Sequence, residues 1–425
     1  MKTTKYQPSA EEKLKKDVGL FSINTFLEDY QAQLGDGSRP YRGLETGYTD
    51  IDKMIQGLDR FVLLSGRSGA GKTTLAIQLA MGVVYTRYLE NEARRANGEE
   101  PLPDIPLIVY SLEMPRNEII TKLVQCAAHE LGYDDLLAGT DDIVLAGNNP
   151  DLPKDKKDAL SASIEFLDKK IGDCLYVRDS RLGVPKILDG INEYSASNDN
   201  RGGSGFTEKS TKPISQKSGT SLEVAKIPKP SMYRDILDLK SKHHADDVLV
   251  LIDSIQDIVV NGDSDNTVQN EVDTLAEIDT LQNLTNATIF ATAQKSKAAS
   301  NGVGYGGIKG SINYQYKPNT IIQLTTLEEM LPPASAQSAE AKAWRAEVKR
   351  MMIDAANGYP AFVQLEVTKC RYGNSNGRIG LDYHGKYGYF ESRESRDDMD
   401  LLNEYNDANM LIESEVGSES RARKR

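Results

Sequence analysis

The chain has only three cysteines in 425 residues, Cys126, Cys174 and Cys370, and none of them belongs to a CxxC pair. That scarcity and spacing argue against a disulfide framework and against a zinc site, and suggest a reducing compartment. Long apolar runs are missing as well. None reaches the roughly 20 residues that a membrane helix requires. The opening stretch "MKTTKYQPSAEEKLKKD" is polar and lacks the apolar centre of a signal peptide. These absences point to a cytoplasmic protein with no membrane partner. Positive charge is in deficit, with 51 Lys and Arg against 63 Asp and Glu, a net charge of -12. The surface as a whole is therefore no magnet for nucleic acid, and any such ligand needs a local basic track. Internal repeats are absent.

What is present is an ordinary globular composition, 39% hydrophobic and 27% charged, in a chain long enough for one large core or two smaller ones. From about Thr46 to Phe390, short β-rich runs alternate with helical stretches. The runs are "FVLLSG", "LIVYSLE", "CLYVRD", "VLVLIDS", "TIFATAQ", "NTIIQLT" and "VQLEVTK". Near-continuous apolar strands between helices predict an α/β fold with a mostly parallel sheet covered on both faces. "GLDYHG" and "YGYFES" come soon after and predict antiparallel hairpins at the C-terminal end. Before this body, "SINTFLEDYQAQLG" reads as a helix capped by Ser22, with Ile23, Phe26, Leu27, Tyr30 and Leu34 on one stripe. It either folds back on its own core or docks on a neighbouring subunit. Residues 195–231 are rich in Ser, Gly, Lys and Pro and read as a disordered insertion. The expected division is an arm over 1–45, a nucleotide-binding domain over 46–392 and an acidic flexible tail over 393–425.

"GRSGAGKT" (residues 66–73) fits G-x-x-x-x-G-K-[ST], follows a strand and opens a helix, which is the context this motif needs. Gly66, Gly69 and Gly71 let backbone N–H groups curl around phosphates, and Ser68, Ala70 and Thr74 complete the loop. Lys72 is expected on the β- and γ-phosphates and Thr73 on Mg²⁺. The cofactors are thus ATP, or another NTP, and Mg²⁺. The metal needs a carboxylate at a strand end, and Asp253 in "DDVLVLIDS" supplies it. In "LIVYSLEMP" a buried strand runs into Glu113. In a parallel sheet that strand ends beside the phosphates, where a carboxylate could activate water. The residues alone leave open that Glu113 merely caps the next helix.

These motifs, in this order, resemble the replicative hexameric helicases of the DnaB type, a superfamily-four group that includes phage-encoded members. "YSLEMP" is similar to the family's glutamate motif and "TGYTDIDKMIQGL" to its lead-in. "RDILDLKSKHHADDVLVLIDSIQDI" resembles its Walker B helix and strand, and "IFATAQKSK" its sensor strand. "GIKGSI" looks like the end of its DNA loop, and "VTKCRYGNSNGRIG" like its Lys-x-Arg segment. The resemblance implies a RecA-like ATPase core forming a ring, with hexameric assembly, translocation on single-stranded DNA and 5′ to 3′ polarity. By the same resemblance Glu113 is the catalytic glutamate and Gln294 senses the γ-phosphate. Lys369 and Arg371 are fingers that reach into a neighbour's ATP. The loop over residues 295–311 would carry DNA through Lys295, Lys297, Lys309, Gly310 and Ser311.

The chain departs from bacterial members in having only ~45 residues before the core, where they carry a helical collar. Primase contact by the usual route is therefore in doubt, while a loader, primase or polymerase remain possible partners. "NYQYKPN" lacks the family's acidic cluster. Two rival readings stay open. One is a recombination ATPase of the RecA/RadA type, whose signature "KCRYGNSN" also resembles. The other is an assembly protein of the KaiC-like or loader type, in which ATP controls assembly only.

Overall fold

The computed structural model describes residues 41–133, 137, 143, 151–178, 186–188, 231–258, 260, 267–295, 313–332, 337–375 and 377–393. The helix expected at 22–34, the insertion at 195–231 apart from its last residue, Ser231, and the tail from 394 lie outside the described residues. The chain divides into two units, residues 1–42 and 43–425. The second unit carries the whole sheet.

Nine strands form this sheet in the order β3-β2-β4-β5-β1-β6-β7-β8-β9. The strands are β1 Phe61–Gly66, β2 Leu107–Ser111, β3 Leu175–Arg178, β4 Leu249–Asp253, β5 Thr288–Gln294, β6 Thr320–Thr326, β7 Ala361–Cys370, β8 Arg378–His384 and β9 Tyr389–Ser392. Strands β1 to β6 pair in parallel. The last three, β7 to β9, add antiparallel hairpins. The mostly parallel sheet with C-terminal hairpins is as the sequence predicts.

Alternation along each strand explains the two-sided core. Val62 and Leu64 of β1 and Leu107 and Val109 of β2 point to one face. There they meet α2 (Lys72–Ala96) and α3 (Arg116–Glu130). Phe61, Leu63, Ile108 and Tyr110 point to the other face. That face is covered by α5 (Met232–His243) and α6 (Thr267–Thr285). Between α3 and α5 comes α4, Lys154–Phe166, continued by a wide turn over Leu167–Ile171. Parallel strands buried on both faces need apolar residues at every position, which is why the runs read so clearly.

The lead-in "TGYTDID" is a local knot around a buried carboxylate. Asp52, on α1 (Thr49–Ile55), accepts hydrogen bonds from Thr46 N at 3.0 Å, Thr46 Oγ1 at 2.9 Å and Gly47 N at 3.2 Å. Burial pushes its pKa up to about 6 although these donors oppose the shift. The knot lies directly on α2. A Cβ at Gly82 would sit 2.1 Å from the Thr46 carbonyl oxygen, so only glycine allows this approach.

Candidate active site

All parallel strands finish at one edge of the sheet, and the site is assembled there. Gly66 at the end of β1 is level with Gln294 at the end of β5. Ser111 at the end of β2 is level with Asp253 at the end of β4. Four chain segments far apart in sequence therefore deliver their functional groups to one place.

The phosphate loop follows β1. Gly69 and Gly71 have φ of 81° and 83°, a region that glycine enters without penalty. A Cβ on Gly71 would also lie 2.6 Å from the Phe390 ring. Lys72 begins α2, and its side chain is buried with Nζ donating to the Arg67 carbonyl at 2.9 Å. Burial lowers its pKa, while Asp253, Glu113 and Glu329 pull the other way and favour the charged form. With Ser68, Thr73 and Thr74 it borders a cavity of about 240 Å³. Ala70 is buried behind the loop.

Asp253 is 3% exposed, and Thr292 Oγ1 donates to its Oδ1 at 2.5 Å. Its Oδ2 is buried with no hydrogen-bond partner among the described residues. A buried carboxylate oxygen left unpaired is costly, and a cation is the natural relief. The donor set therefore fits Mg²⁺, which Asp253 and Thr73 would hold, and which would supply neutralisation of phosphate charge.

Glu113 is thrown forward by a turn after β2, in which Ser111 Oγ donates to Met114 O at 2.8 Å and accepts from Met114 N at 3.2 Å. The N-cap of α3 is Pro115, with no side-chain cap. The helix-capping alternative thus has no hydrogen bond behind it. Instead the Gln294 side-chain amide donates to Glu113 Oε1 at 3.1 Å. Gln294 is itself held through its backbone: its N–H donates to Gln256 Oε1 at 2.8 Å, and its carbonyl accepts from Gln256 Nε2 at 3.3 Å. Burial raises the Glu113 pKa, and the neighbouring carboxylates Asp257 and Asp253 raise it further against Lys72. A carboxylate moved toward neutrality is a better proton acceptor than an ordinary one.

The expected fingers are not in this cavity. Strand β7 runs antiparallel to β6, with Thr326 opposite Val363 and Thr320 opposite Cys370. Lys369 and Arg371 therefore sit at the amino edge, across the sheet from Glu113. Lys369 Nζ donates to the Tyr316 carbonyl at 2.7 Å, and Arg371 is exposed. Among the expected DNA contacts, Lys297, Lys309, Gly310 and Ser311 lie outside the described residues. Lys295 turns inward: its side chain is 7% exposed and its Nζ lies 3.1 Å from Glu329 Oε1.

Three residues of the cavity escape a reading of the sequence. Lys122 donates to Thr74 Oγ1 at 3.0 Å. A signal for it exists: Ile119, Lys122, Leu123 and Cys126 share one stripe of α3, so a cation stands on an apolar face. Thr292 is visible as a polar residue in a buried strand. Tyr383 borders the cavity from β8 and stacks on Phe390 at a centroid distance of 4.4 Å. Nothing local marks it.

The class that this fold and site define is a RecA-like P-loop nucleotide-binding core. Residues 43–141 match the family model described as DnaB-like helicase C-terminal domain. The replicative DNA helicase DnaB of Buchnera aphidicola (subspecies Acyrthosiphon pisum) is 31% identical over 124 residues, 27% of this chain and 23% of that protein. DnaB of Haemophilus influenzae is 32% identical over 88 residues, 20% of this chain and 15% of that protein. The matched stretch thus spans less than a quarter of these relatives' length. Among solved structures, the ATPase domain of G40P superposes with a TM-score of 0.54 at 16% identity, covering 88% of this chain and 99% of that one. A DnaB-like replicative helicase, studied with its interactions with primase, gives 0.55 at 15% identity, covering 90% and 71%. The likeness to DnaB-type helicases is borne out by the family model over residues 43–141 and by the curated relatives over their matched stretches, and the solved structures share the fold.

Proposed function

We propose that the chain is an ATP-dependent replicative DNA helicase of the DnaB type, a ring, hexameric in assembly, that moves 5′ to 3′ along single-stranded DNA in the cytoplasm. The observation that carries this reading is the contact from Gln294 to Glu113 at 3.1 Å beside Lys72 and the unpaired oxygen of Asp253. A nucleotide-controlled assembly switch has no need of a carboxylate with a raised pKa held against a sensor amide. In this reading the phosphate loop and Lys72 hold ATP, and Thr73 and Asp253 hold Mg²⁺. Glu113 accepts the proton of the attacking water. Gln294 links the γ-phosphate position to Glu113 on one side and to the segment that starts at Lys295 on the other. That link supports coupling of hydrolysis to a DNA-bearing loop over residues 295–311. Lys369 and Arg371 act on a neighbour's nucleotide. A primase is a candidate partner because a structural relative is described with one; a loader and a polymerase are further candidates.

The deciding experiment is unwinding of a forked DNA with ATP and Mg²⁺, using Lys72→Ala as the inactive control. Unwinding from a 5′ tail supports the motor reading. DNA-stimulated hydrolysis with strand exchange and no unwinding moves the assignment to a recombination ATPase. Glu113→Gln should lower turnover by about 100- to 10,000-fold while ATP binding and assembly persist. Undiminished turnover in that variant removes Glu113 from the chemistry.

A further inference from the structure

The widely spaced cysteines speak against zinc as long as only sequence spacing is considered. In three dimensions one of them has company. Asp104, Cys174 and His243 each offer a ligand atom, and the three atoms lie within 4.8 Å of one another. The reason is topological. Asp104 precedes β2, Cys174 precedes β3 and His243 ends α5 shortly before β4. These are adjacent parallel strands, so the segments that lead into them share the amino edge of the sheet. The cluster is therefore at the opposite edge from the phosphate loop and independent of it. We propose that Asp104, Cys174 and His243 form a binding site for a single borderline-soft divalent cation of the Zn²⁺ class, with water as a further ligand.

The donor set is one thiol, one imidazole and one carboxylate, which is a Zn²⁺ or Co²⁺ set and not a Mg²⁺ set. Metal-ligating groups are normally oriented by outer hydrogen bonds, and two of the three ligands have them here. Asn91 is buried, and its Nδ2 donates to Asp104 Oδ1 at 3.3 Å and to the Leu102 carbonyl at 3.0 Å. It thus fixes both the loop and its carboxylate. His243 Nε2 lies 2.6 Å from the Tyr176 hydroxyl. That hydroxyl has one hydrogen, and it goes to the Asp173 carbonyl at 2.8 Å. Lys242 Nζ donates to the Tyr176 hydroxyl oxygen at 2.8 Å. With the hydroxyl hydrogen on the Asp173 carbonyl, His243 donates from Nε2 and keeps a lone pair on Nδ1, a tautomer that can ligate a metal.

A thiol binds a metal as its thiolate, so binding exchanges the S–H bond for a metal–thiolate bond and releases one proton, and affinity rises with pH. Held this way, the ion would fasten edge strand β3 and the end of α5 to the segment before β2.

The test uses the full chain with Co²⁺ as a spectroscopic probe, in excess Mg²⁺ to occupy the all-oxygen site. The expected result is one equivalent of Co²⁺ with a thiolate-to-cobalt charge-transfer band. Zn²⁺ should displace it, and one proton should be released per ion in calorimetry across buffers. Cys174→Ser should abolish the band, and Asp104→Asn, at an exposed position that should not disturb folding, should weaken binding ~100-fold or more. Tyr176→Phe removes the hydroxyl that meets His243, Lys242 and the Asp173 carbonyl and should cost about 10- to 100-fold. No thiolate band in the wild type, a band that persists in Cys174→Ser, or unchanged affinity in Asp104→Asn would each overturn the assignment and leave the three side chains as a hydrogen-bonded cluster.

Discussion

Lys295 offers a decision between two roles that differ in kind. It opens the segment expected to carry DNA, yet its ammonium is buried against Glu329, with side-chain exposures of 7% and 5%. The perturbation is Lys295→Met, which keeps the length of the side chain and removes its charge. Breaking a buried ion pair from one side leaves an uncompensated charge and costs about 3–5 kcal/mol. Glu329 keeps two donors, the Thr326 N–H at 3.1 Å and the Thr326 hydroxyl at 3.5 Å, so the lower half of that range is expected. Urea denaturation of the purified chain reads this as a lower midpoint at unchanged slope. Lys295→Met combined with Glu329→Gln should recover most of the loss, because the amide still accepts from Thr326 and no orphan charge remains. Single-stranded DNA binding should keep its salt dependence. Removing a lysine that neutralises a phosphate would instead reduce the slope of log K against log salt by about 0.7. Unchanged stability together with a shallower salt slope would refute the structural role.

Two other outcomes arise from the cavity. Burial, then Asp257 and Asp253, raise the Glu113 pKa, so the acid limb of the turnover profile lies above the usual glutamate range, and Asp257→Asn should move it to lower pH; the sign is fixed because only ionised Glu113 accepts a proton, and a limb that stays or rises counts against the arrangement. Ionised Glu113 also costs stability above its raised pKa, so Asp257→Asn should stabilise the chain slightly at neutral pH and not at acid pH. Thr292→Val removes the hydroxyl that donates to Asp253 at 2.5 Å; it should cost about 1.5–3 kcal/mol and weaken the Mg²⁺ dependence of hydrolysis, with Thr292→Ser restoring both, and a valine variant indistinguishable from wild type removes Thr292 from the site.

The legible parts of the sequence owe their clarity to burial on both faces. Strands β1 and β5 can be read to the residue because apolar and small hydroxyl residues fill them up to the sheet edge, with no charge among them. The phosphate loop, Asp253 and Glu113 are legible because each ends or follows such a strand, and Gln294 is legible through the family resemblance. The illegible parts come from tertiary pairing. Tyr383 reaches the cavity only because β8 and β9 fold back behind the phosphate loop, held by Gln78, which accepts from Phe390 N and donates to Phe390 O, both at 2.8 Å. Lys295 looks like a solvated loop lysine because Glu329 lies on a different strand connection. Asp104, Cys174 and His243 are brought together by strand order β3-β2-β4, which no spacing rule contains.

The placement of Lys369 and Arg371 leads to a sharper test than either single variant. Strand β7 has ten residues at about 3.3 Å each, so its far end is roughly 30 Å from the edge where Glu113 stands. No side chain spans that distance, so neither cation can serve the cavity of its own chain. If they act at all on nucleotide, they act in a heterologous assembly, where one subunit's amino-edge cations meet the next subunit's carboxyl-edge cavity. Glu113→Gln and Arg371→Ala chains should each be inactive alone. Mixed in equal amounts and allowed to exchange, they should create interfaces with an intact glutamate from one chain and an intact arginine from the other. Random mixing makes about one quarter of interfaces complete in a heterologous ring. ATP hydrolysis should therefore reappear at roughly that fraction of wild type if interfaces fire independently, and at less if neighbours must fire in turn. Mixtures that exchange subunits yet stay as dead as either parent would count against independently firing sites shared between Glu113 and Arg371.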